Sequence, residues 1–267
     1  NGQIMKMFKL GDTLYAHTTD MLIKLHKGGK ESKVDESNLL LGTGNLFGGA
    51  TPIYGGVVEG YAGLLDPNAA EVSSQGYVFP DRESRKWYTF TGELPKPISN
   101  LGVNQFMNEN MTFKLLERYP NFKLVDQKTR GGIGFSFGVD HENNRMLFTK
   151  IDYIPLYKDI VLDKNGSTFS LGEDKVSLLD PRYFQDVSFT LSYSMRNGGW
   201  ISFHNYTPSL YAWNRFDMYS FDSNKMWRHN AKGNFQTYYG THYPFSLEYV
   251  VNDKGGDAFS FTSAILD

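Results

Sequence analysis

Residues 200–230 read WISFHNYTPSLYAWNRFDMYSFDSNKMWRHN, and this segment indicates the fold class more directly than any other. Aromatic side chains recur along it, and turn-forming Asn, Pro, Asp and Ser interrupt it at short intervals, which is typical of strand–turn–strand structure. Within 216–221, Phe216, Met218 and Ser220 are predicted to share one face of a strand. The polar residues 222–225 predict the hairpin that follows.

We interpret this segment as a structural aromatic module, in which the rings form a core and some remain available to neighbouring subunits. Nothing in it has the spacing of a nucleophile, a metal cage or a phosphate loop. The predicted module residues are Trp200, Phe203, His204, Tyr206, Tyr211, Trp213, Phe216, Trp227 and His229.

Composition supports a β-rich protein with a sizeable core. Of the 267 residues, 40% are hydrophobic and 15% aromatic, and Phe, Tyr, Ser, Thr and Gly dominate over the usual helix builders. The net charge of −2 comes from mixed acids and bases without a basic stripe, so the electrostatic footprint of a nucleic-acid-binding protein is lacking. We therefore expect no nucleic-acid-binding surface of the usual electrostatic kind.

The cysteine content, the apolar runs and the two ends of the sequence exclude some classes of protein but do not select one. The absence of cysteine excludes disulfides and thiolate metal sites, and no apolar run has the length of a membrane-spanning helix. The chain starts at Asn1 without a signal peptide and ends just after an alternating segment, 258–266. We interpret it as a fragment of a longer chain.

Turn signals spaced about eight to twelve residues apart predict an all-β fold, either β-propeller-like or built from several sheets. The first runs, 4–10, 13–18 and 21–27, predict a β-meander, and we expect a single β-rich domain or partial propeller over 1–267. One inserted helix is predicted near 99–117, with Ser99 as its N-cap. Residues 28–38 are expected to be a polar loop, and the glycines of 42–56 to mark another loop rather than a phosphate site.

The sequence contains no pattern that defines a catalytic or metal-binding site. The six histidines lack metal-binding spacing, and the acidic turn after Asp140 lacks the EF-hand residues. His204 and His229 could meet Asp217 in space, although satisfied core histidines are commoner. Candidate carboxylates are scattered: Glu71, Asp81, Asp140, Asp152, Asp186, Asp217 and Glu248. We expect no cofactor, no metal and no enzymatic activity.

Four segments, in this order, resemble a large virion protein family of crAss-like and related tailed phages, the stabilization or muzzle proteins. The resemblance covers about residues 50–255, whereas 1–45 carry none of the pattern. The segments are GYVFPDRESRKWYTFTGELPKPISNLGVNQFMNEN (76–110), GVDHENNRMLFTK (138–150), SYSMRNGGWISFHNYTPSLYAWNRFDMYSFDSNKMWRHN (192–230) and FQTYYGTHYPFSLEYVVN (235–252).

The resemblance implies a propeller-like tail component of the nozzle or muzzle type, assembled in the bacterial cytoplasm into the virion. Copies would pack in a ring around the DNA exit channel, next to portal and other tail proteins, with DNA only as passing cargo and with no membrane segment. Two alternatives stay open: a carbohydrate- or receptor-binding module of a tail spike, and, less favoured, a glycoside hydrolase. Carboxylates about 5–9 Å apart in a pocket, such as Asp140, Asp217 and Glu248, would favour the hydrolase.

Overall fold

The computed structural model describes residues 2–27, 30–34, 37–41, 47–54, 63–122, 132–222, 225–233 and 236–244. Strands account for 48% of the chain and helices for 9%, which confirms an all-β fold built from several antiparallel sheets. The propeller-like arrangement stays a prediction. By internal contacts the chain divides into two compact units, 1–232 and 233–267, and each is described by itself.

The strands of the first unit are short, and most are connected by tight turns. In chain order they are β1 (Ile4–Leu10), β2 (Thr13–Thr18), β3 (Leu22–Lys27), β4 (Lys30–Val34), β5 (Ser37–Leu41), β6 (Phe47–Tyr54), β7 (Glu71–Ser73), β8 (Gly76–Asp81), β9 (Lys86–Phe90), β10 (Lys96–Pro97), β11 (Gly134–Asp140), β12 (Arg145–Ile151), β13 (Tyr153–Pro155), β14 (Ile160–Leu162), β15 (Phe169–Leu171), β16 (Asp174–Val176), β17 (Phe184–Asp186), β18 (Phe189–Ser194), β19 (Gly199–His204), β20 (Leu210–Trp213), β21 (Met218–Asp222) and β22 (Lys225–Arg228).

Four sheets form the body of this unit. We call them sheet 1 (β1-β2-β3-β6), sheet 2 (β7-β8-β9-β10), sheet 3 (β11-β12-β18-β19) and sheet 4 (β20-β21-β22). The hairpin β4-β5 is inserted between β3 and β6 of sheet 1. A larger insertion, which carries the pair β13-β17 and the small sheet β14-β15-β16, separates β12 from β18 of sheet 3.

Sheet 2 buries both of its faces. Every residue of β8 is buried, and the alternation of a strand sends Val78 into one hydrophobic cluster while Tyr77 and Phe79 enter another. On β9, Trp87 joins the first cluster and Tyr88 the second. Sheet 2 is therefore an inner layer with a separate core on each side.

Aromatic contacts connect this inner layer to its neighbours. Tyr77 stacks on Phe8 of sheet 1 with ring centroids 3.6 Å apart. On the other side, Trp87 packs edge-to-face on Phe148 of sheet 3 at 4.7 Å. Stacked and edge-to-face rings are the geometries that aromatic quadrupoles prefer, so these pairs contribute beyond the area they bury.

The predicted single helix near 99–117 is wrong in detail, because the segment divides into three pieces. A 3₁₀ turn covers Ile98–Asn100, and two short helices follow, α1 (Asn104–Asn110) and α2 (Lys114–Arg118). Ser99 is not an N-cap. It is buried in the 3₁₀ turn, where its hydroxyl oxygen accepts a hydrogen bond from the backbone N–H of Trp87 at 2.7 Å.

A buried ion pair explains the break between the helices. Lys150 and Asp152 are 2% and 0% exposed, and their charged groups lie 2.8 Å apart. The Lys150 ammonium also donates to the Thr112 carbonyl at 2.6 Å, and the Asp152 carboxylate accepts the backbone N–H groups of Lys114 and Leu115. The helix α1 ends before Thr112, whose carbonyl accepts from the lysine, and α2 begins at the carboxylate. Asp152, between β12 and β13, thus caps α2 although it is distant in sequence.

Two loop predictions are wrong. Within 28–38 the structure has β4 and the start of β5, paired as an antiparallel hairpin. Within 42–56 it has β6, which pairs with β3, while 42–46 and 55–56 lie outside the described residues. Glycine and polar residues have a low strand propensity, so the sequence predicted loops. Pairing with neighbouring strands overrides that propensity in the structure.

In the second unit, two strands are described, β23 (Thr237–Tyr238) and β24 (Thr241–His242), which form an antiparallel hairpin. The rings of Tyr238 and Tyr243 lie 6.3 Å apart. Residues 245–267, which include most of the predicted strands 240–251 and 258–266, lie outside the described part. The single-domain prediction for 1–267 thus stays a prediction.

Replacing Asp152 tests the buried pair. Asp152→Ala should lower the free energy of unfolding by about 3–5 kcal/mol, because Lys150 keeps a buried charge without its partner and α2 loses its cap. Urea unfolding followed by circular dichroism measures the change. The control is Asp12→Ala, whose fully exposed carboxylate lies 3.6 Å from Lys9 and whose loss should leave the midpoint unchanged. An unchanged midpoint for Asp152→Ala would contradict this account.

Candidate functional site

The aromatic module of 200–230 occupies β19 and all of sheet 4, and its residues divide into core anchors and exposed rings. Trp200 and Trp213 are partly buried against the first cluster, and Tyr206 and Tyr211 are almost fully buried. Phe203 and Phe216 are 59% and 79% exposed. The module therefore only partly forms a core.

Trp200 is the anchor of β19. Its ring lies 4.9 Å from that of Phe148 and 5.4 Å from that of Tyr193, and its indole N–H donates to the Ile98 carbonyl at 3.1 Å. An amphipathic ring with a satisfied polar tip holds this end of the strand against the core. Further along β19, Ile201 and Phe203 are 54% and 59% exposed, and the Phe203 ring packs edge-to-face on Phe106 at 5.2 Å.

Tyr211 anchors sheet 4 on sheet 3. Its hydroxyl lies 2.7 Å from the Thr149 hydroxyl, which in turn lies 2.7 Å from that of Thr190. The ring can approach because β11 has Gly138 at the contact, where an added Cβ would lie 2.5 Å from the Tyr211 Cγ. A glycine is thus required here by close packing of two sheets rather than by a turn.

His204, Tyr206 and His229 form a histidine cluster, so the expectation that the two histidines meet is partly met. The Tyr206 ring lies 5.1 Å from the His204 ring and 5.3 Å from the His229 ring. His229 Nε2 is 2.7 Å from the Ser220 hydroxyl. Asp217, predicted as the third member, instead pairs with Arg228 at 2.6 Å.

Burial determines the charge state of the cluster. It lowers the pKa of His204 to about 4, helped by the positive charge of Arg145 and by His229. It also lowers the pKa of His229 to about 4, although the Asp140 carboxylate opposes the shift. Both imidazoles are therefore neutral at pH 7. Ser220 is fully buried, whereas His229 is partly exposed and lines a cleft described below.

Asp140 connects the hairpin β11-β12 to the end of the module. It is 1% exposed and accepts hydrogen bonds from the Asn143 side chain at 2.8 Å, from Arg145 Nε at 2.9 Å and from Asn230 Nδ2 at 3.0 Å. Burial alone would raise the pKa of Asp140, but these bonds and the Arg145 charge lower it. From sequence this acidic turn was considered, and not favoured, as a calcium loop; in the structure its carboxylate holds Asn230.

The strand prediction for 216–221 needs one correction. Met218 and Ser220 are buried on a shared face, as expected, but Phe216 precedes the strand and lies in the turn between β20 and β21. The Asn214 side chain, which sequence reasoning missed, closes that turn. Asn at the first position of a tight turn was the signal available for it.

An open cleft of about 610 Å³ lies at this end of the unit. Its lining comes from three segments: the turn β11-β12, the turn β20-β21 and the residues after β22. The lining residues that carry polar or aromatic groups are Glu142, Phe216, Asp217, Arg228, His229, Asn230 and Lys232.

A second cleft of about 390 Å³ lies beside sheet 2 and is lined by Asp20, Asp81 and Glu83 among others. Burial raises the pKa of Asp81 to about 6, against hydrogen bonds from Ser84 and Glu83 that lower it. Both carboxylate oxygens of Asp81 serve these two bonds inside the turn β8-β9. The carboxylate therefore shapes its own turn.

The carboxylates named for the hydrolase alternative either pair with arginines or lie outside the described residues. Asp140 and Asp217 each accept from an arginine, and Glu248 lies outside the described residues. In the part of the chain that the structure describes, no group of three acidic or histidine side chains could hold a metal ion. No helix among the described residues is long and apolar enough to cross a membrane.

Comparison with known proteins does not assign the chain to a family. No protein-family model matches the chain, and no curated protein matches it.

Glycine 138 gives the first test of the module. Gly138→Ala should lower the thermal midpoint, with a loss of about 1–3 kcal/mol, because the new methyl group overlaps the Tyr211 ring and pushes sheet 4 away from β11. Gly199→Ala is the matched control, since a Cβ there meets open space. Equal midpoints for the two variants in scanning calorimetry would show that the close approach is unimportant.

The histidine cluster predicts a loss of stability in mild acid. The unfolded chain takes up protons near pH 6.5 while the folded imidazoles stay neutral until about pH 4, so the cluster's contribution is present above pH 6.5 and is lost as the pH falls. The double variant His204→Gln/His229→Gln should lose less stability than wild type between pH 7 and pH 5, by about 2 kcal/mol for each histidine and about 4 kcal/mol in total.

Urea titrations at the two pH values measure this difference. Asp81 acts in the opposite direction, because its raised pKa makes its contribution fall as the pH rises from about 4 to about 6, so only the comparison between variants isolates the histidines. His26→Gln, at an exposed position on β3, is the control and should follow wild type. Identical pH dependence in the double variant and wild type would rule out the assignment.

Proposed function

We propose that this chain is a structural subunit of a tailed-phage tail, a nozzle- or muzzle-type component that packs with copies of itself into a ring around the DNA exit channel. Its partners would be those copies and the neighbouring portal and tail proteins, and it would be assembled in the bacterial cytoplasm into the virion. The proposal rests on the ordered motifs of 76–110, 138–150, 192–230 and 235–252 and on one surface.

That surface is the free side of β19, the observation that carries the proposal. β19 is the last strand of sheet 3 among the described residues, and it exposes Ile201 and Phe203 while Trp200 fixes its start. Exposed apolar edge strands are a liability that monomeric proteins avoid and that assemblies use for pairing between chains.

A second edge strand suggests how copies would join. β1 lies at the end of sheet 1 and exposes Ile4 and Met7, 57% and 49%. Two different apolar edges on one subunit suit a head-to-tail interface, which closes into a ring when the rotation between copies is constant. The net charge of −2 suits a channel that lets DNA pass without binding it.

The enzymatic alternative has less support, because Asp140 and Asp217, two of its three candidate carboxylates, are each paired with an arginine. The carbohydrate-binding alternative has one specific observation in its favour, the cleft beside Phe216, which is taken up below.

The assembly should be directly measurable. We expect the full chain to form closed rings by mass photometry and cryo-electron microscopy. The variant Ile201→Lys/Phe203→Lys should shift the population to monomers, because charges on an interface edge must be desolvated on assembly. Leu179→Lys is the matched control: Leu179 is 53% exposed but lies in a turn outside the edge strands, so the ring should persist.

Two outcomes would overturn the proposal. One is a wild-type chain that stays monomeric at micromolar concentrations with a portal or tail fraction present. The other is a ring that both variants preserve equally, which would place the contact surface elsewhere than β19.

A further inference from the structure

The cleft at the end of sheet 4 is built from rigid turns. The Asn214 side-chain oxygen accepts the backbone N–H groups of Phe216 and Asp217 at 2.7 and 2.8 Å, and the Asn214 N–H donates to the Asp217 carbonyl at 2.9 Å. Phe216 therefore keeps a fixed backbone although its ring is 79% exposed. A ring presented in this way loses little conformational freedom when a ligand covers it.

The opposite wall is held from the hairpin β11-β12. Asn230 donates to Asp140 and accepts from the Asn143 side chain at 3.2 Å, which leaves one amide N–H and one acceptor lone pair of Asn230 for a ligand. The Asp217–Arg228 pair, 2.6 Å apart, places a charged acceptor and a half-exposed guanidinium in the same cleft.

The charges in the lining balance. Glu142 and Asp217 offset Arg228 and Lys232, and the adjoining His229 is neutral at pH 7. A balanced lining gives no net attraction to a polyanion and releases no net counterions on binding one. Paired donors and acceptors instead match hydroxyl groups, each of which both donates and accepts.

We propose that this cleft binds a neutral saccharide. The apolar C–H face of one sugar ring covers the Phe216 ring, and its hydroxyls bond to the Asp217–Arg228 pair and to the Asn230 amide. The volume of about 610 Å³ lies within the range of small-ligand sites and accommodates more than one sugar unit. Charge-assisted hydrogen bonds to the ion pair provide orientation as well as affinity.

This site goes beyond the proposed tail function, because it recognises a glycan on a surface made of turns rather than on the edge strands. The two proposals can fail separately. Saccharide binding should persist in the Ile201→Lys/Phe203→Lys variant, and ring formation should persist in a Phe216 variant.

The test is a glycan array of neutral and acidic saccharides probed with the full chain, followed by saturation-transfer NMR with the best neutral hit. Oligothymidylate is included, since aromatic platforms with nearby cations also stack nucleic-acid bases. We expect at least one neutral glycan to bind, and Phe216→Ala to weaken it about tenfold or more through loss of stacking.

Matched variants make the outcome specific to the cleft. Tyr157→Ala removes another exposed aromatic ring, 49% exposed and outside the cleft lining, and should bind as wild type does. Asn230→Asp keeps the size of the side chain but adds a carboxylate beside Asp140, and should reduce binding. Failure of every neutral glycan, equal binding by Phe216→Ala, or a preference for oligothymidylate would each overturn the proposal.

Discussion

The double burial of sheet 2 is the constraint on which the rest of the structure depends. An antiparallel sheet commonly packs one face on a core and leaves the other to water. Here Tyr77 and Val78, adjacent on β8, enter different cores, and Trp87 and Tyr88 do the same on β9. Sheet 1 and sheet 3 consequently pack on opposite faces of one layer, and a change in its register by one residue would reverse both cores at once.

Much of the fold could be predicted from local pattern. The alternation in 4–27, the turn residues after Asp140 and the polar segment 222–225 predicted strands and hairpins that the structure confirms. The helical segment could not be predicted in full, because its interruption depends on Lys150, in β12, and Asp152, just after β12, which are more than thirty residues further along the chain. Sequence spacing describes a helix by itself and carries no information on a cap supplied by another element.

The candidate site shows the same division. An aromatic-rich segment was visible in the sequence, but whether a given ring is buried depends on what lies opposite. Tyr211 is covered because β11 has a glycine there, whereas Phe216 is uncovered because Asn214 closes a turn before the strand begins. Asp140 was noticed for the wrong reason, since its partner Asn230 is distant in sequence and no motif relates the two.

The insertion between β12 and β18 has a consequence for how the chain could change over time. Its strands supply Ile160, Phe169 and Phe184 to the first core, and the Tyr119 hydroxyl after α2 donates to the Ile160 carbonyl at 2.7 Å. Because the insertion contributes to the core, it is difficult to delete: its removal would expose Tyr119 and Phe122 to solvent. The outer turns of the insertion, such as residues 163–168, could nevertheless accept extra residues or a fused domain, because an addition there would leave the strand order of sheet 3 unchanged.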